Sequence, residues 1–277
     1  MLELVFRYEF MQNALFAGLM VGLICPLIGV FLVVRRLSLM ADALSHITLS
    51  GIAAGLLIQK KFPSMQWLNP MYIGMLFSVV GSLLIEQLRK VYRFYQELAI
   101  PIILSVGIGL GVVLISMANG FNVDLFSYLF GSVVAVSRSD LWTIIAVGLI
   151  VLISTIVLYK ELFALSFDEE YGRISGIKRK GVNFTFILLV AFTIAISMRI
   201  VGILLVSSLI TLPVATALQL ANSFKQTIWL SILFAETAVL GGLTLAFYLD
   251  WASGGTIVLF SALMLIITLL VKKRKAS

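Results

Sequence analysis

The sequence predicts an all-α membrane protein: a polytopic bundle of about nine spanning helices, forming one domain over residues 1–277. Three observations carry this. Of 277 residues, 61% are hydrophobic and only 12% charged, about half the charged share of a soluble domain. The apolar residues fall into repeated runs of roughly 20, the length that crosses a bilayer. The lysines and arginines lie mostly on alternate connections, as they do when basic loops stay on the cytoplasmic side.

Nine runs follow in order. The first, about 10–34, starts beside Glu9 and stops at Arg35–Arg36. The second, 38–58, ends at Lys60–Lys61, and the third, 68–88, at Arg89–Lys90. The fourth, fifth and sixth are 99–117, 140–159 and 182–198. The last three are 200–221, 227–248 and 254–271, closing on Lys272–Lys275. With this tail in the cytoplasm, alternation places 15 of the 20 basic residues inside. The opposite parity would reverse that bias, so the N-terminus is expected outside and the C-terminus inside. Trp67, Trp142 and Trp251 then fall at outer ends and Trp229 at an inner one, where indole rings prefer the interface.

Two stretches do not span. Residues 121–140 are too short, and a crossing there would put the basic cluster of 160–180 outside; a short helix or re-entrant piece near the outer face is expected. Residues 160–181 form the longest cytoplasmic connection. Asp168, Glu169 and Glu170 precede Lys178, Arg179 and Lys180, an order that suits a short helix by its dipole. The segment reads either as a solvated loop or as a docking surface for a soluble partner.

Other features bound the function. The net charge of +7 is explained by the flanks of spans, not by nucleic acid. The single cysteine, Cys25, excludes an internal disulfide and reads as a small buried hydrophobe. Glu3 and Glu9 beside a long first run argue against a cleavable leader. Gly18 with Gly22, Gly51 with Gly55 and Gly107 with Gly111 are spaced for close helix packing. No Walker-type phosphate loop, zinc-protease or serine-hydrolase signature is present, so no catalytic residue, ATP site or permanently bound cofactor is expected. Pro213 should kink its helix.

Ionisable side chains inside spans are expensive, about 2.5–3.5 kcal/mol each on insertion scales, and need a reason. Asp42 and His46 are four apart, hence on one helical face about 6 Å apart along the axis. They can converge on a metal ion, staple helices by a hydrogen bond, or relay protons. Glu236 is read as a carboxyl hydrogen-bonded inside the bundle or, alternatively, as facing a pathway. Glu86 and Arg199 lie near helix ends and could reach the interface. A secondary transporter with Asp42 and Glu236 as proton relays is a rival reading. An intramembrane enzyme is a poorer one, because Ser45 points to a different face from His46.

The stretch "RRLSLMADALSHITLSGIAAG" (35–55) resembles the signature of the integral-membrane permeases of ATP-binding-cassette importers for zinc and manganese. "DLFSYLFGSVVAVSRSDL" (124–141) is similar to that family's outer half-helix region. "FALSFDEEYGRISGI" (163–177) is similar to its cytoplasmic coupling segment, and "VGILLVSSLITLPVATA" (201–217) to its late proline-containing span. The resemblance implies a type II importer permease in a bacterial plasma membrane. It implies a homodimer with the pathway at the subunit interface, two ATP-binding subunits beneath, and an extracellular metal-binding lipoprotein or periplasmic binding protein delivering the ion. It assigns Asp42 and His46 as transient metal ligands. Coupling to the ATPase falls to Phe167, Asp168, Glu169, Glu170, Tyr171, Arg173 and Gly176. The wording before Asp42 favours zinc over manganese as the transported ion.

Overall fold

The computed structural model describes residues 9–65, 67–118, 123–132 and 136–276. In chain order its α-helices are α1 (Glu9–Val34), α2 (Leu39–Lys61), α3 (Pro70–Val91), α4 (Ala99–Met117), α5 (Val123–Phe130), α6 (Arg138–Val157), α7 (Tyr159–Phe167), α8 (Glu169–Ile174), α9 (Arg179–Val201), α10 (Ile203–Leu220), α11 (Phe224–Leu249) and α12 (Ser253–Ala276). All but α5, α7 and α8 are long and apolar enough to cross a membrane, which gives nine candidate spans among the described residues. Each expected run corresponds to one of them.

Local chemistry sets where the helices begin. Asn69 caps α3 by accepting from the Met71 amide at 3.0 Å, with Pro70 in the first turn, where its missing N–H costs nothing. Ser137 and Asp140 form a reciprocal capping box on α6. Ser223 caps α11 by accepting from the Gln226 amide.

Contacts between helix ends sort the chain into two poles. At one pole Lys60 donates to the Ala118 carbonyl at 3.0 Å, Asn69 to Asp140 at 3.1 Å and Ser253 to the Ile200 carbonyl at 3.1 Å. At the other, Arg35 donates to Asn183 and Lys272 to Gln219. This pairing fits nine alternating passes. The short helix α5 sits at the first pole, where the charge argument puts the outer face, and does not cross. Residues 119–122 and 133–135 of that region lie outside the described residues.

Helices in lipid gain little from apolar burial against one another, so close backbone approach matters more. Every glycine of the three expected pairs is a contact point. A Cβ at Gly18 would meet Val239 and Leu243 of α11, and one at Gly22 the Glu236 carboxyl. At Gly51 and Gly55 it would meet α3, and at Gly107 and Gly111 it would meet Ile47 and Ser50. Ser50 Oγ also donates to the Gly107 carbonyl at 2.7 Å. Helix α2 is thereby clasped between α3 and α4. Cys25 is fully buried, as expected, with Sγ 3.1 Å from Ser197 Oγ.

The structure adds detail to three local expectations. Pro213 lies inside the continuous helix α10, and the chain reverses at Gly202, whose φ of +83° joins α9 to α10. The acidic-to-basic connection is not one short helix but two, α7 and α8. Lys178, Arg179 and Lys180 open the next span instead of closing a helix, so side bias across the membrane outweighs the dipole preference there. Arg199, near the end of α9, pairs with the buried Asp140 at 3.4 Å.

Gly202→Ala is expected to lower the thermal unfolding temperature. The added Cβ would sit 2.5 Å from the Gly131 nitrogen and the Leu129 oxygen. It would also hold an L-residue at positive φ, a strain of about 1–3 kcal/mol on its own. Unfolding of the purified variant in detergent, followed by circular dichroism, checks it; an unchanged midpoint would contradict the packing.

Candidate functional site

Asp42 and His46 lie in the first two turns of α2 on a half-buried face, while their neighbours Ala41, Ala43, Leu44, Ser45 and Ile47 are buried. The exposed Leu39 continues the same stripe. The Asp42 carboxylate is close enough to act electrostatically on the imidazole. Among the described residues, neither side chain makes a hydrogen bond or ion pair to another helix. Ser45 instead donates to the Ala41 carbonyl at 2.8 Å and is buried, so it is turned away from His46 and tied to backbone. A serine–histidine nucleophile is excluded by that geometry.

Glu236 is elsewhere. Its carboxyl packs against Gly22 at the contact of α1 with α11, with one oxygen buried and unpaired. Among the described residues no group of three His, Cys, Asp or Glu side chains converges. The chain thus carries a carboxylate and an imidazole on one half-open face of α2, with no third such group converging on them among the described residues.

At the cytoplasmic pole, α7 and α8 form the segment read as a coupling element. Asp168 lies between them, its Oδ1 accepting from the Glu170 amide at 2.9 Å. Phe167 and Ile174 are 63% and 82% exposed, large apolar side chains left for something else to cover. Glu170 is exposed, and Gly176 has φ of +78° in open space. The side chains of Glu169, Tyr171 and Arg173 lie outside the described set.

Arg35 fastens this segment to the rest of the protein, a role that its place in a basic flank does not reveal. Its Nε donates to Ser166 Oγ at 3.0 Å, Nη2 to the Leu162 carbonyl at 3.3 Å and Nη1 to Asn183 Oδ1 at 3.0 Å. The guanidinium also lies 4.5 Å from the Phe186 ring centroid, a favourable cation–π contact. Rings of Phe31, Tyr159, Phe163, Phe167 and Phe224 pack edge-to-face around the same point. Arg35 ends α1, and Asp42 is seven residues further on. Arg35 thereby ties α7 to the turn that leads into α2, the helix carrying Asp42 and His46.

The chain matches the ABC 3 transport family over residues 7–272. It is 34% identical over 256 residues to the manganese transport system membrane protein MntC of Halalkalibacterium halodurans, covering 92% of this chain and 85% of that protein. It is 30% identical over 268 residues to the high-affinity zinc uptake system membrane protein ZnuB of Haemophilus influenzae, covering 96% and 99%. The solved structure of PsaBC from Streptococcus pneumoniae in complex with Fab superposes with a TM-score of 0.84 at 30% identity, over 96% of this chain and 93% of that one. With nine candidate spans, no nucleotide loop and a match along almost its whole length, the chain belongs to the ABC 3 transport family as a multi-pass plasma-membrane permease of metal-ion importers, in which a separate subunit hydrolyses ATP.

Proposed function

We propose that this permease passes zinc inward through a homodimeric pathway in which Asp42 and His46 are the transient ligands. The observation that carries the reading is their pairing on one half-open face of a membrane helix whose other faces are packed. A desolvated carboxylate and imidazole with no protein partner between helices would be a net cost, and an ion in transit gives them a purpose. Imidazole favours zinc, while the carboxylate serves zinc or manganese. Two ligands per protomer leave the ion weakly held, as conduction requires. A second copy facing the first would bring the set to four. Glu236, at the α1–α11 contact, is a lesser candidate for the same path.

The exposed Phe167, Asp168, Glu170 and Ile174 suit docking to a nucleotide-binding subunit, one beneath each protomer. An extracellular binding protein would deliver the ion. Manganese is the second reading, favoured by the similarity to MntC. The test is ATP-dependent uptake of radiolabelled zinc and manganese into proteoliposomes holding the complete transporter. Zinc preference is expected; manganese preference would replace the ion and keep the pathway, and uptake without ATP would overturn the reading.

Reversing the charges of Glu169 and Glu170 to lysine is expected to weaken association with the ATP-binding subunit, or to uncouple hydrolysis from uptake, while the membrane fold persists. Glu170 is exposed, and an exposed surface charge contributes little to folding but can complement a partner and set its approach. Co-purification and uptake per ATP hydrolysed read the effect. Unchanged assembly with unchanged coupling would remove the segment from the interface.

A further inference from the structure

Arg36 holds a backbone conformation that its residue type does not favour. Its φ is +58°, in the left-handed region where a Cβ crowds the following carbonyl oxygen. The turn that closes α1 sets this position. The Leu37 amide donates to the Leu32 carbonyl at 2.8 Å and the Arg36 amide to the Val33 carbonyl at 3.0 Å. These are the paired bonds of a helix end whose left-handed residue is usually glycine and sometimes asparagine. Glycine would close the same turn without strain. Nor does the helix dipole call for this guanidinium, because Arg35 already places a cation at the end of α1. Strain kept at a residue that local structure does not require points to a role for its side chain.

The Arg36 side chain is exposed and lines a cytoplasmic cleft of about 230 Å³ together with Ser166 and Phe167 of α7. The other polar side chains of that lining are engaged within the protein. Arg35 donates to Ser166 and to Asn183, and Arg89 faces Glu86 at 3.8 Å. Among the described residues, Arg36 makes no side-chain hydrogen bond or ion pair. Two large apolar side chains accompany it. Phe167, in the same cleft, is 63% exposed, and Leu39, three residues further along the chain, is 62% exposed. The surface therefore offers an uncommitted cation alongside apolar groups that nothing in the chain covers.

We propose that Arg36 belongs to the surface on which the ATP-binding subunit docks, and that it meets an acidic side chain at the rim of the groove that covers Phe167. The proposal rests on the reading of α7 and α8 as the docking segment and extends that segment to the turn between α1 and α2. An anionic lipid headgroup suits the place less well. Asp168 and Glu170 follow closely on Phe167 and repel the negative surface of the cytoplasmic leaflet. A protein groove can offer a carboxylate to Arg36 and donors to those acids at once. A subunit seated on Phe167 and Arg36 touches both sides of the joint that Arg35 makes, α7 on one side and the turn leading into α2 on the other.

The test uses the full chain in mild detergent and the purified ATP-binding subunit of the complete transporter. Association is measured at two salt concentrations, and unfolding is followed by circular dichroism. Arg36→Gly is expected to weaken association on the order of tenfold and to flatten its salt dependence, as removal of a charge at an interface rim does. Its unfolding temperature should stay unchanged or rise, since glycine accepts the left-handed turn. Arg36→Lys keeps the charge and should retain most of the binding, while Arg36→Glu should lose more than Arg36→Gly. If Arg36→Gly binds like the wild type while Glu170→Lys does not, the docking segment stands and this inference falls. Full association of both variants would remove the segment as well. A lowered unfolding temperature in Arg36→Gly would make Arg36 a helix cap and overturn the proposal. So would normal subunit binding combined with lost stabilisation by short-chain phosphatidylglycerol, which would mark a lipid contact.

Discussion

Asp42→Asn and His46→Ala, each in the complete transporter, are expected to cut zinc uptake by on the order of 100-fold, at least the loss seen when even an outer-shell partner of a metal is removed. Expression and binding of the ATP-hydrolysing subunit should stay near normal. Both side chains are half-buried on α2 while the residues between them carry the packing, so removing either disturbs few contacts. Asp42→Asn is the sharper probe, because it keeps shape and hydrogen-bonding capacity and deletes only the charge that attracts a cation. If the pair merely stapled helices, asparagine would be tolerated, and His46→Ala would fail through lost expression or aggregation. Radiolabelled zinc and manganese uptake in proteoliposomes separates the cases. Wild-type uptake by both variants would defeat the ligand assignment, whatever the ion.

Asp140→Ala is expected to produce the largest loss of stability, about 3–5 kcal/mol, the range for breaking a buried ion pair by removing one partner. Asp140 is 1% exposed and its Oδ2 lies 3.4 Å from Nη2 of Arg199, itself 18% exposed. The same carboxylate accepts from Asn69 Nδ2 at 3.1 Å, Ser137 Oγ at 2.7 Å and the Ser137 amide at 3.2 Å. Arg199 also lies over the Tyr128 ring at 4.5 Å. One side chain thereby holds the starts of α3 and α6 and the end of α9 together, with α5 gathered through Tyr128. Alanine removes the carboxylate that faces the largely buried Arg199 guanidinium at 3.4 Å. The double variant Asp140→Ala with Arg199→Met should recover much of the loss, since replacing a buried pair by apolar groups is often near neutral. Thermal unfolding in detergent measures both, and a single variant as stable as the wild type would show the pair to be ornamental.

Much of this architecture is written locally in the chain. Transfer of an apolar side chain into lipid depends on that residue and the run around it, so the nine spans are legible one at a time. The side bias of Arg35–Arg36, Arg89–Lys90 and Lys272–Lys275 is likewise additive, and it fixes the parity that excluded α5 as a span. The i, i+4 spacing of Asp42 and His46 follows from helical pitch alone, and the stretches at 35–55, 124–141, 163–177 and 201–217 carry the family. What the tertiary structure decided are partners distant in sequence. Arg35 reads as one more basic flank until its guanidinium is seen to meet Ser166, 131 residues away, and Asn183, 148 away. Arg199 reads as a charge near a helix end until it is seen to pair with Asp140. Glu236 reads as a carboxyl somewhere inside the bundle, and only the fold shows that it packs against Gly22. The physical reason is that hydropathy and side bias are properties of one segment in its solvent, whereas a buried charge is stable only through the group opposite it, and packing among nine helices chooses that group.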